Sequence, residues 1–309
     1  MTYIIQTHNL TKVYNGAEVV SGVNMYIKKG EIYGFLGPNG SGKTTIMKMI
    51  TNLVKPTGGE IEVLGEKLSP PTSFEVLKRI GSTIEYPVFY EKLSARKNLD
   101  LHCRYMGFHN KNEIDEALKL VNLINVEKKP VKEFSLGMKQ RLAIARAVIT
   151  KPDLLILDEP LNGLDPQGIR EMRNLFLNLS SQYGMSLLIS SHILGEIEQI
   201  ADTIGVIREG KILEETSMDI IRGKYVEHLE LQVKDQAKAA FVLENELNID
   251  NFRIKEQDSL IHIYDRNISQ NDVIQAMVTN QIEIGSIHKK SKSLEDYFLQ
   301  LIEGGNKDA

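Results

Sequence analysis

The chain has 309 residues, 42% hydrophobic and 25% charged, which excludes a disordered or fibrous polymer and leaves room for one large or two modest domains. Thirty-seven basic against forty-one acidic residues give a net charge of −4, so no general electrostatic pull draws the chain to nucleic acid or anionic lipid. A single cysteine, Cys103, rules out an internal disulfide and suits a reducing compartment. No run is long enough to span a membrane, and Met1 to Lys12 lack the pattern of a signal peptide. The expected location is therefore the cytoplasm, with any membrane role exercised through a partner.

In chain order, Ile32-Tyr33-Gly34-Phe35-Leu36 reads as a buried strand stopped by Gly37-Pro38-Asn39-Gly40. A helix follows over Thr44–Ile50, with Ile46, Met49 and Ile50 on one face. Further helices are expected from near Asn112 to Val126, from Leu136 to Ile149 and from Ile169 to Ser181. Between them, Leu154–Leu157 and Ser186–Ser190 are uninterrupted apolar or small-residue runs, the signature of strands covered on both faces by helices. Ile204-Gly205-Val206-Ile207 and Lys211-Ile212-Leu213, joined by Arg208-Glu209-Gly210, predict a hairpin. The fold class is thus α/β, with a parallel-sheet core.

After about Asp219 the pattern changes. Leu229, Leu231 and Val233 alternate with polar residues, Ala240, Leu243 and Leu247 fall at helical spacing, and strands are expected at Phe252–Ile254 and Ile261–Tyr264 with a turn at Gln257-Asp258-Ser259. A helix over Gln270–Val278, a strand over Ile282–Ile287 and a last helix carrying Leu294, Phe298, Leu301 and Ile302 complete a β-α-β-β-α-β order with a helical tail. Half-buried strands replacing buried ones predict a second, small α+β domain over residues 219–309, after a first over 1–218.

Gly37-Pro38-Asn39-Gly40-Ser41-Gly42-Lys43-Thr44 fits the phosphate-binding pattern G-x-x-x-x-G-K-[ST] between a strand and a helix. Glycines let backbone N–H groups turn onto phosphate oxygens, and the helix adds the positive end of its dipole. Lys43 is expected on the β- and γ-phosphates and Thr44 on Mg²⁺, with Thr45 counted among the nucleotide-binding residues. Leu154–Leu157 followed by Asp158-Glu159 places two carboxylates at the end of a buried strand, where α/β sheets bind ligands. Asp158 would hold the metal through water, and Glu159 would polarise the attacking water.

Phe134-Ser135-Leu136-Gly137-Met138-Lys139-Gln140-Arg141 precedes a helix, Asn162-Gly163-Leu164-Asp165 follows the acidic pair, and Ser190-Ser191-His192 ends the next strand. Together with the loop and the acidic pair, this series resembles the P-loop, signature, Walker B, D-loop and switch histidine of the ATP-binding subunits of ABC transporters, over about residues 2–218. The resemblance implies a head-to-tail dimer in which Ser135 and Gly137 meet the γ-phosphate held by the other subunit. It implies that His192 contacts the γ-phosphate, that Asp165 lies near the nucleotide and that ATP and Mg²⁺ are the ligands. Tyr14, in Thr11-Lys12-Val13-Tyr14, matches the position whose ring stacks on adenine, although an aromatic residue there is as compatible with a core role. The signature departs from the usual pattern, with Leu136 in place of the first glycine and Met138 in place of glutamine.

Where the family usually carries a glutamine after a strand, here the one expected to end near Ile84, Ile80-Gly81-Ser82-Thr83-Ile84-Glu85 ends in a glutamate. Together with the Ser135–Arg141 segment, this resembles the bacitracin-resistance and lantibiotic-immunity ATPases of Gram-positive bacteria. The resemblance implies an ATPase subunit at the cytoplasmic face of the membrane, bound to separate transmembrane permease subunits that carry a peptide antibiotic outward. Glu85 is expected as a metal ligand that couples ATP to the permease; the competing reading is a surface glutamate outside the site. Residues 74–131 are expected to form a helical subdomain that docks on the permease. The basic run His288–Lys292 reads as a solvated face, and the ending Ser293–Phe298 resembles drug-export ATPases with an accessory domain, whose role in dimer stability or regulation stays open. A soluble switch acting on DNA or ribosomes is the competing function. Against it stand the single cassette and the absence of a coiled coil between Thr44 and Ser135. Intact Lys43, Asp158, Glu159 and His192 argue against a module that binds nucleotide without hydrolysing it.

Overall fold

The computed structural model describes residues 2–69, 73–108, 111–224, 228–255, 259–263 and 269–290, together with Phe298 and Leu301. Two compact units divide the chain, Met1–Met218 and Asp219–Ala309.

The first unit runs β1 (Tyr3–Tyr14), β2 (Ala17–Lys28), β3 (Ile32–Leu36), α1 (Lys43–Ile50), β4 (Gly58–Val63), β5 (Glu66–Lys67), α2 (Ser73–Lys78), β6 (Ile80–Thr83), α3 (Ala95–Tyr105) and α4 (Lys111–Leu120). It continues with α5 (Leu136–Val148), β7 (Leu154–Leu157), α6 (Pro166–Ser181), β8 (Ser186–Ser191), α7 (Leu194–Ile197), β9 (Thr203–Arg208) and β10 (Lys211–Ser217). Six strands form one sheet in the order β10-β9-β3-β8-β7-β6. All pairs are parallel except β9 with β10. Every residue of β3, β7 and β8 is buried, as their apolar runs require. The expected hairpin forms with Arg208 opposite Lys211, and its two turn residues, Glu209 and Gly210, have φ of 50° and 77°. That geometry matches the right-handed twist of the strands.

A second sheet, β2-β1-β4-β5, is antiparallel and was not anticipated from the sequence. Register shifts between Thr7 and Leu10, Leu10 and Lys12, and Lys12 and Val13 break the alternation of β1, so no clean period of two survives. The helix expected to reach Val126 ends at Leu120. There Asn122 takes φ 57° and Leu123 N–H donates to the Leu118 carbonyl at 2.8 Å, a left-handed stop. In contrast, α6 starts three residues before the expected Ile169, because the Asp165 side chain accepts from Gly168 N–H and Pro166 suits the first turn. The strand expected to end near Ile84 forms as β6 over Ile80–Thr83, the edge of the main sheet; α3 and α4 follow it.

The second unit holds α8 (Met218–Lys224), which straddles the boundary, then β11 (His228–Val233), α9 (Gln236–Asn245), β12 (Phe252–Lys255), β13 (Leu260–Ile263), α10 (Gln270–Thr279) and β14 (Ile284–Lys290). Its antiparallel sheet has the order β12-β13-β11-β14, the split βαβ arrangement. Leu229, Leu231, Ile261 and Ile263 share a core with Val242 and Leu243 of α9 and with Val273 and Met277 of α10. Of the expected tail helix, Phe298 and Leu301 are helical; the rest of it, the turn residues Gln257 and Asp258, Tyr264, and Ser291 and Lys292 of the basic run lie outside the described residues. Among the described residues, no helix is long and apolar enough to cross a membrane.

Candidate nucleotide site

β3 delivers the chain into the loop over Gly37–Gly42, and α1 begins at Lys43. Gly40 and Gly42 adopt φ of 80° and 107°, values that favour glycine. A Cβ on Gly37 would lie 2.3 Å from the Ile207 carbonyl oxygen, so β9 presses against the loop too closely for any side chain. The loop is buttressed from the hairpin as well, since Gly210 N–H donates to the Ser41 carbonyl at 2.9 Å. Pro38, Asn39 and Gly40 are exposed, whereas Ser41 and Lys43 are buried. Among the described residues, the buried Ser41 hydroxyl finds no hydrogen-bond partner.

Lys43 Nζ donates to the Gly37 carbonyl at 2.6 Å and the Pro38 carbonyl at 3.2 Å, and lies 3.4 Å from Glu159 Oε1. The Thr44 hydroxyl donates to Asp158 Oδ2 at 2.8 Å. Ser190 at the end of β8 donates to Asp158 Oδ1 at 2.7 Å while accepting the Glu159 N–H at 2.8 Å. Glu159 takes φ 48°, unusual for a residue with a side chain and typical of a constrained site. Its Oε2 lies 2.8 Å from His192 Nδ1. Thus Lys43, Thr44, Asp158, Glu159 and His192 form one connected cluster at the carboxyl ends of β3, β7 and β8. Ser190, which holds both carboxylate positions, was not singled out from the sequence. A hydroxyl buried at the end of the apolar run Leu187–Ile189 was the signal.

The cluster fits a nucleotide with a divalent cation. A buried hydroxyl lacking a partner, a loop of glycines open to backbone approach and a lysine parked on loop carbonyls are ready to exchange internal contacts for phosphate oxygens. Among the described residues no group of three or more His, Cys, Asp or Glu could hold a metal alone. One hydroxyl and one carboxylate suit Mg²⁺, which keeps waters and takes phosphate oxygens for its other ligands.

Glu85 does not join this cluster. Its carboxylate pairs with Lys48, one turn beyond Thr44 on α1, and its backbone takes φ 61°. Tyr14 ends β1 with its ring exposed and the Lys12 ammonium 4.8 Å from the ring centre. It opens the hairpin into β2, and a Cβ on Gly42 would come 3.0 Å from the Val19 carbonyl oxygen of that strand.

A separate cavity of about 360 Å³ lies between the start of α5 and the start of α6, lined by Ser135, Leu136, Gly137, Leu164 and Asp165 among others. Ser135 caps α5, its hydroxyl oxygen accepting Met138 N–H at 3.3 Å, which leaves the hydroxyl proton free to donate. Asp165 is likewise occupied as the cap of α6. Leu136, in the place of the usual glycine, leans on Gly163, where a Cβ would lie 2.8 Å from Leu136 Cδ2.

Residues 20–162 match the ABC transporter family. The chain is 63% identical to an uncharacterized ABC transporter ATP-binding protein of Bacillus subtilis (strain 168), over all of both chains. It is 47% identical to the bacitracin transport ATP-binding protein of Bacillus licheniformis, over 99% of each. An ATP-binding cassette solved as a dimer in a post-hydrolysis state with ADP and Pi superposes with a TM-score of 0.64 at 25% identity, covering 69% of this chain and 98% of that one. With the phosphate loop, the acidic strand end and the histidine joined in one cluster, these likenesses make the chain a member of the ABC transporter ATP-binding family, an ATPase whose hydrolysis is coupled to transport.

Proposed function

We propose that this ATPase drives export of a membrane-active peptide antibiotic of the bacitracin or lantibiotic kind, working as a homodimer on separate permease subunits at the cytoplasmic face of the membrane. The permease, rather than this chain, binds the antibiotic. The observation that carries the catalytic part is the connected cluster of Lys43, Thr44, Asp158, Glu159 and His192. The cargo reading rests on the likeness to the bacitracin transport protein along almost the whole chain and on the glutamate at position 85.

In this reading the N–H groups of the Gly37–Thr45 segment bind the phosphates, and Lys43 leaves the Gly37 carbonyl to reach them. Thr44 and Asp158 would hold Mg²⁺, which supplies neutralisation of the phosphate charge when bound. Glu159 accepts a proton from the attacking water, and His192 orients that carboxylate through Nδ1 while turning Nε2 to the γ-phosphate. Glu85 acts at the metal only in a state in which it has let go of Lys48. Tyr14 stacks on adenine with Lys12 behind its ring. Ser135 donates its hydroxyl proton to the ATP of the partner subunit, and Gly137 and Asp165 line the same approach.

The test is complementation in a host lacking its own copy, with the wild-type chain or with Glu159→Gln. The variant is expected to bind ATP normally, to hydrolyse it about 10²–10⁴-fold more slowly, and to leave the host sensitive to bacitracin or a lantibiotic. Unchanged turnover refutes the role of Glu159, and unchanged sensitivity to every peptide antibiotic after deletion refutes the cargo.

A further inference from the structure

Glu85 is bracketed by contacts with two consecutive residues of α5. Before it, Gly81 on β6 lies so close to that helix that a Cβ there would sit 2.2 Å from the Ala147 carbonyl oxygen. After it, Arg146 Nη1 donates to the Val88 carbonyl at 3.0 Å, and the guanidinium carbon stands 4.9 Å from the centre of the Phe89 ring. The segment carrying Glu85 is therefore fastened at both ends to the last turn of α5.

Arg146 is an unusual fastener. Among the described residues no carboxylate pairs with it, and burial holds its guanidinium below the ordinary arginine pKa. The titratable group facing it is His102 of α3, itself held low first by burial and then by the Arg146 charge. A half-buried cation without a counter-ion is unfavourable unless its geometry is needed. Here the planar head serves a backbone carbonyl and an aromatic face together, which the point charge of a lysine does not reproduce.

The other end of α5 begins at the Ser135 cap. Gln140 Nε2 donates to the Asn162 carbonyl at 3.0 Å, and Leu136 rests on Gly163, so this end is joined to the segment that follows Glu159. One helix thus spans from the Glu85 segment to the surface that carries Ser135.

We propose that Arg146 is a positioning residue that locks the Glu85 segment to α5, so that a displacement of Glu85 at one nucleotide is transmitted to Ser135 at the nucleotide of the partner subunit. The inference rests on the dimeric reading given above.

The experiment uses the full-length chain carrying Glu159→Gln, so that ATP is retained, and compares it with the same chain bearing Arg146→Met, Arg146→Lys or Phe89→Leu. Nucleotide affinity is read by titration with a fluorescent ATP analogue under dilute conditions, and ATP-driven dimerisation by sedimentation. Arg146→Met and Phe89→Leu are expected to keep nucleotide affinity within twofold while raising the protein concentration needed for dimers at least fivefold; Arg146→Lys should recover only part of the loss. Dimerisation unchanged in Arg146→Met and Phe89→Leu overturns the proposal. So does a parallel loss of nucleotide affinity, which marks a merely structural residue. If Arg146→Met does not fold, the half-buried Phe89 carries the test alone. Failure of the parent to dimerise with ATP is a separate result that overturns the dimeric reading, and this inference with it.

Discussion

Lys48 and Glu85 form an ion pair that joins α1 to the bend after β6, one helical turn from the hydroxyl of Thr44. The glutamate brings a negative charge close to where phosphates are expected, and the lysine offsets it. The Glu85 side chain is 62% exposed, so the pair is worth little as a fastening, and the left-handed backbone at Glu85 adds a small strain. An interaction that weak is easily exchanged.

Reversing one charge should therefore matter more for function than for stability. Lys48→Glu and Glu85→Lys are each expected to lower transport-coupled ATPase about three- to tenfold. The exchanged pair, Lys48→Glu with Glu85→Lys, should recover most of the loss if mutual neutralisation is the main role. Activity in the exchanged pair no better than in the worse single variant would assign Glu85 a role that needs the carboxylate itself. Steady-state hydrolysis in the assembled transporter measures this.

Ser190 holds Asp158 through one hydrogen bond and the Glu159 backbone through another. Ser190→Ala deletes both while leaving every ligand atom in place. A bond to a charged group contributes roughly 1.5–3 kcal/mol, so turnover is expected to fall about ten- to hundredfold. Circular dichroism should show the fold unchanged, since an alanine fits the site.

Glu215 and Glu31 both have carboxyls raised above the ordinary value, chiefly by burial. Glu215 accepts from Tyr33 Oη at 3.1 Å and from Tyr26 N–H, while Glu31 accepts from Lys28 N–H and from the Thr203 hydroxyl. A carboxyl that binds its proton more tightly in the folded state contributes stability that is fully present below its unfolded pKa and is lost as the pH rises through the folded value. Glu215→Gln removes that loss. The variant is expected to melt about 2–4 °C above the wild type near pH 8, with the difference shrinking towards pH 4.5. A constant difference across that range would exclude the titration as its cause.

The sequence carried much of this molecule because buried parallel strands leave continuous apolar runs and phosphate loops leave glycines. Leu154–Leu157, Ile32–Leu36 and the Arg208–Lys211 turn are legible for those reasons alone. The β1–β2 pair is not, because its bulges scramble the alternation and its faces mix Thr7 and Gln6 with Ile4 and Ile5. At the site, residue types announce Lys43, Thr44, Asp158, Glu159 and His192, yet not who touches whom. Ser190 looks like the end of a strand, Lys48 like a solvated helix face and Arg146 like one more basic residue in a last turn. Each owes its role to residues far along the chain, and only tertiary contact reveals it.

β3 sits between β8 and β9, and the loop it feeds is propped by Gly210. During synthesis on the ribosome, the strand that leads into the phosphate loop emerges early but gains its first neighbour, β8, only when the chain has grown past residue 191, and its second, β9, past residue 208. Such long-range pairing is slow to form. Competence to bind nucleotide is therefore expected late in synthesis, once β8 and β9 have joined β3, and a fragment that ends before them displays the whole glycine motif without the sheet that supports it.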